Sequence, residues 1–94
     1  MAAKVLAVVC YDVIKDSVRD RLASLLEEEL IRVQESVFEG WIGEGKLRNL
    51  VRRSAALIGP DDSLRVYRLG ASDAMRTIVH GPTPAVEAGD YYLF

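Results

Sequence analysis

The chain has 94 residues, enough for one domain and too few for two, and a domain this small buries more surface by pairing with another subunit. Half of the residues are hydrophobic and 28% are charged, which excludes a disordered chain, and no apolar run reaches the length of a membrane helix. The net charge of -2 excludes a simple basic DNA-coating protein, although 9 arginines against 3 lysines leave room for a basic face.

Lys4 to Tyr11, KVLAVVCY, is an almost continuous valine-rich run, the pattern of a central strand buried on both faces. It begins without a signal-peptide cleavage region, and the single cysteine, Cys10, reads as a small buried hydrophobe; together these point to a cytoplasmic protein. Asp16 or Ser17 is expected to cap a first helix, with Asp20 in the capping-box position three residues after Ser17. Val18, Leu22, Leu25, Leu26 and Leu30 form its apolar stripe, and Glu27-Glu28-Glu29 a solvated end. Ile31 to Ile42 reads as two short strands around a turn at Gln34-Glu35-Ser36, or as one long bulged strand.

A second helix is expected over Glu44 to Ile58, with Leu47, Leu50, Val51, Leu57 and Ile58 inward and Gly59-Pro60-Asp61-Asp62 as its stop. Ser63 to Leu69, SLRVYRL, is a further strand, Ala74 to His80 another, and Asp90 to Phe94 an apolar tail. The order β-α-β-β-α-β predicts an α+β, ferredoxin-like domain over residues 1–80, with additional C-terminal strands. Residues 81–94 then form a tail used in assembly.

Asp12 stands directly after the buried strand. It reads either as a turn residue or as a ligand for Mg²⁺, an ion that needs only one or two protein carboxylates when waters and phosphate oxygens complete its shell. One Asp12 per subunit, brought together at a two-fold axis, would supply such a pair. Arg19 and Arg21, in the first turns of the helix, and Arg32, opening the next strand, are either solvated charges or phosphate contacts near a helix N-terminus. Ser36-Val37-Phe38-Glu39 opens the third strand, with Phe38 a core residue or a base-stacking platform; Trp41 is expected to pack at an interface or a helix contact.

Tyr11-Asp12, Arg19-Asp20-Arg21, Arg32-Val33-Gln34-Glu35-Ser36-Val37-Phe38-Glu39-Gly40 and Val66-Tyr67-Arg68-Leu69 follow one another at the spacings of the CRISPR-associated protein 2 family, which this chain resembles along nearly its whole length. The tail, from Gly81-Pro82 to Phe94, is similar to the family's subtype I-C branch. The resemblance implies a homodimer of ferredoxin-like domains that joins the CRISPR integrase in capturing new spacers from double-stranded DNA. It also implies metal-dependent endonuclease activity on DNA or RNA, as described for several members. Carried over by position, Asp12 is the catalytic metal ligand for Mg²⁺ or Mn²⁺, shared with its symmetry mate. Arg19, Arg21, Arg32, Ser36 and Phe38 fall on the nucleic-acid-binding positions. The chain departs from the family at Glu29-Leu30-Ile31, where a glycine commonly precedes the arginine.

Three functions compete: a Mg²⁺-dependent phosphodiesterase, a non-catalytic scaffold positioning duplex DNA between integrase dimers, and a small-molecule regulatory domain on the same fold. The arginine placement and the strand motif argue against the third. They do not separate the first two.

Overall fold

The computed structural model describes residues 4–82. Four strands form one antiparallel sheet: β1 (Lys4–Asp12), β2 (Ile31–Gln34), β3 (Val37–Gly43) and β4 (Ser63–Leu69), in the order β2-β3-β1-β4. Two helices, α1 (Asp16–Leu26) and α2 (Glu44–Ala55), pack on one face, and a single turn, α3 (Ala71–Ala74), follows β4. The central position of β1 explains its apolar run, because it has a strand on each side. Val9, for instance, pairs with Phe38 on β3 and with Val66 on β4. This is the expected α+β, ferredoxin-like plan.

The two faces of β1 differ as strand alternation requires. Ala7, Val9 and Tyr11 join Val13, Leu22, Leu26, Phe38, Ile42, Leu47 and Leu50 in the core beneath the helices. Leu6, Val8, Cys10 and Asp12 turn to the opposite, helix-free face. Among the described residues, one end of that face is covered, where Leu6 and Trp41 pack with Leu69 and with Ala74 of α3. Trp41 thus makes the helix contact that the sequence suggested.

Two strands form, not one long strand: Glu35-Ser36 makes the turn while Gln34 still belongs to β2, and a register shift lies between Arg32 and Gln34. Three expectations are corrected. The residue at the N-cap of α1 is Lys15, with no side-chain cap bond, so neither Asp16 nor Ser17 serves; Asp16 instead pairs with Arg19. α2 ends at Ala55, although Leu57 and Ile58 still pack on the core from the turn beyond. Ala74 to His80 is no strand: α3 ends at Ala74, and no strand follows through Pro82. Asp90 to Phe94 lies outside the described residues, so additional C-terminal strands are not among the elements seen.

Candidate nucleic-acid and metal site

Antiparallel order brings the end of β1 against the start of both neighbours. Asp12 pairs with Ser63 at the head of β4, and the Tyr11 amide donates to the Ser36 carbonyl at 3.2 Å. Around this junction opens a pocket of about 320 Å³ lined by Tyr11, Asp12, Val13, Arg19, Arg32, Glu35 and Ser36. Four of the six residues nominated by the sequence, Asp12, Arg19, Arg32 and Ser36, therefore share one concavity. Asp12 is exposed at its mouth, on the helix-free side of the sheet.

The other two lie elsewhere. Phe38 is fully buried, so a base has no access to its ring. It lies beneath the site instead: the Tyr11 ring stacks on it with centroids 6.2 Å apart, and the Arg32 guanidinium carbon sits 5.5 Å from its centroid. Arg21 is exposed, but it lines a separate groove between α1 and α2 with Asp20, Ser24, Glu28, Arg53 and Leu57.

The arginines of the pocket are held by their own backbone. Arg32 donates from Nε at 3.0 Å and Nη2 at 2.6 Å to the carbonyl of Glu35, and the Tyr11 hydroxyl donates to the same oxygen at 3.3 Å. That fork fixes the guanidinium plane at the rim of the pocket and leaves Nη1 for an external anion. Arg19 donates from Nη1 to the carbonyls of Val13 (2.7 Å) and Ile14 (3.0 Å) and pairs with Asp16. Its guanidinium is taken up in shaping the loop after Asp12.

The donors at the mouth are oxygens: the Asp12 carboxylate, the Ser36 hydroxyl and nearby carbonyls. Such a set suits a hard divalent cation such as Mg²⁺ or Mn²⁺, which retains waters and accepts phosphate oxygens. Among the described residues no group of three or more His, Cys, Asp or Glu converges on a point. One chain thus offers part of a shell, and a second Asp12 would extend it.

Two contributors went unnoticed in the sequence. The Glu35 carbonyl gathers three donors, and a backbone acceptor leaves no trace in residue type. Asp62 accepts the Ile14 amide at 2.9 Å, and its place in a Gly-Pro-Asp-Asp helix stop marked only a turn.

The sequence model of the family described as CRISPR associated protein Cas2 matches residues 5–77. A CRISPR-associated endoribonuclease Cas2 of Chloroflexus aurantiacus is 34% identical over 79 residues, covering 83% of this chain and 85% of that protein. Among solved structures, a hypothetical protein from Thermus thermophilus superposes with a TM-score of 0.78 at 38% identity, over 89% of this chain and 99% of that one. A chain of a partial Cas6-RT-Cas1–Cas2 complex superposes with a TM-score of 0.69 at 28% identity, over 80% and 83% of the two chains.

Proposed function

The chain belongs to the CRISPR associated protein Cas2 family, and on that premise we propose that it acts in CRISPR spacer acquisition as a homodimer that binds double-stranded DNA beside the CRISPR integrase and cleaves phosphodiester bonds with a divalent metal. The observation that carries this reading is the single pocket in which Asp12 meets Arg32, Arg19 and Ser36 at the end of the central strand.

Asp12 is the metal ligand, for Mg²⁺ or Mn²⁺, and the bound ion would supply a polarised phosphate and an activated water. The remaining work is done by the chain. Asp12 would hold the ion, and Arg32, braced on Glu35 and Phe38, would take a phosphate oxygen from the rim. Arg19 keeps the loop after Asp12 in shape. Arg21, exposed in the separate groove between α1 and α2, would add a backbone contact away from the pocket. The relative from Chloroflexus aurantiacus bears the name of an endoribonuclease, which favours RNA as a substrate for cleavage, and the solved complex contains a Cas1 chain, which favours the integrase as partner.

The helix-free face supports the dimer. Ile31, Glu39, Val8 and Tyr67 form one cross-strand row on it, with Ile31 at 42% and Tyr67 at 47% exposure, large for apolar residues of a small sheet. A second copy packed there would cover this row and bring its own Asp12 toward the same edge. The subtype I-C assignment and the assembly role of the tail rest on residues 81–94, of which 83–94 lie outside those described.

Cleavage of labelled RNA and DNA by wild type and Asp12→Asn, purified in parallel with Mg²⁺, Mn²⁺ or chelator, tests the reading. Wild type should cut only with metal, and the variant should not cut. Equal cutting by both would overturn the nuclease reading of Asp12 and trace the activity to a contaminant, leaving a DNA-binding scaffold, the reading that the single carboxylate of one chain supports.

A further inference from the structure

The turn that follows α2 reaches across to the loop that carries Asp12. The Ile14 amide donates to Asp62 Oδ1 at 2.9 Å across forty-eight residues of sequence, and the Gly59 amide donates to Oδ2 at 2.8 Å. The same stretch is held from the other side too, where the Val13 and Ile14 carbonyls accept from Arg19 Nη1. The next residue after Asp62, Ser63, is the ladder partner of Asp12. Val13 anchors this stretch in the core, but the Ile14 side chain is 67% exposed, so beyond Val13 the chain is held by the hydrogen bonds to Ile14.

We propose that Asp62 is a positioning residue for the Asp12 site: by gripping the Ile14 peptide it sets the course of the chain leaving β1, and with it the direction of the Asp12 carboxylate. This rests on the reading of Asp12 as a metal ligand. An aspartate that served only its own turn would need the Gly59 bond alone. The bond to Ile14 belongs to no local turn, and it ties the end of β1 to the start of β4 at a point where the ladder has already stopped. A carboxylate suits the task because its two oxygens take two amides at once with charge assistance. Those two amides also hold the Asp62 carboxyl below its usual value.

The test uses the full chain labelled with ¹⁵N and a Mn²⁺ titration, read as paramagnetic broadening of the Tyr11, Val13 and Ser36 amide signals. Core amides such as Val9 and Leu22 serve as the check that each variant is folded. Asp12→Asn should lose the site-specific broadening. Asp62→Ala should need about tenfold more Mn²⁺ for half-broadening, the lower end of what loss of a ligand-orienting group costs in affinity. Asp62→Asn, which keeps one oxygen acceptor for Ile14, should fall between it and wild type. If Asp62→Ala fails to fold, the shift in Asp62→Asn decides. A wild-type midpoint in the Asp62 variants, with Asp12→Asn still silent, would overturn the positioning role and leave the metal site standing. Wild-type broadening in Asp12→Asn would overturn the metal site itself and the positioning role with it.

Discussion

Asp12 is exposed and Phe38 fully enclosed, so substitutions at the two separate chemistry from stability. Asp12→Asn removes a charge at nearly constant volume and should leave the urea midpoint where it is. Phe38→Ala empties a site in contact with Tyr11 and Arg32 and should cost about 3–5 kcal/mol in urea unfolding, whatever it does to nucleic-acid binding. Arg32→Ala should weaken binding to unrelated duplexes about equally and flatten the salt dependence, because phosphate contacts carry little base information. Filter binding across salt concentrations reads this, and an unchanged slope would take Arg32 off the nucleic-acid surface. That Asp12 ends a strand and Arg32 opens one was legible in local pattern, whereas Ser36 was nominated only through the family's motif. The burial of Phe38 was not settled, since Val37, Phe38, Trp41 and Ile42 make both faces of β3 apolar. Nor does any sequence signal announce that Arg19 will turn back onto its own loop.

At the scale of elements, the apolar run of β1 and the polar break before β3 were readable because each reflects one physical demand, burial on both sides and a tight turn. The stretch after β4 was misread. Thr77, Ile78, Val79 and His80 carry strand-forming residues, but strand propensity counts only where a neighbouring ladder is within reach. Asp73 accepts the Gly70 amide at 3.4 Å and opens a helical turn there instead. Where β3 passes the turn that follows α1, Gly40 has no room for a side chain: a Cβ would come within 2.8 Å of Leu30 Cδ2 and 3.3 Å of the Glu29 carbonyl. Gly40→Ala should therefore cost about 1–3 kcal/mol in thermal or urea unfolding, as overpacking does. Glu39 sits in the middle of the helix-free row, where burial pushes its carboxyl above the usual 4.5. The folded protein thus holds that proton more tightly than the unfolded chain, and the stabilisation grows as pH falls through the raised value toward 4.5. Glu39→Gln should accordingly be more stable than wild type at neutral pH, with the difference shrinking in acid; a constant difference across pH would contradict this.

At the scale of the whole molecule, one sheet face is closed by two helices and the other, among the described residues, only at its Leu6 and Trp41 end. The proposed dimer closes the rest, so a charge at Ile31 should be felt as dissociation. Ile31→Lys should shift sedimentation equilibrium toward monomer while the far-ultraviolet spectrum stays as in wild type. The family, the fold and the strand-end acid were all legible in the sequence, through motif spacing and element order. The separation of Arg21 from the pocket was not, because it depends on how α1 is rotated against the sheet. The central claim is that two copies of Asp12 share one divalent ion at the edge of paired sheets. Anomalous diffraction from crystals of the full chain soaked in Mn²⁺ tests it most directly. The account predicts a manganese peak on the two-fold axis, in contact with Asp12 of both protomers. Asp12 carboxylates too far apart for one ion to bridge, or a peak bound elsewhere, would contradict it.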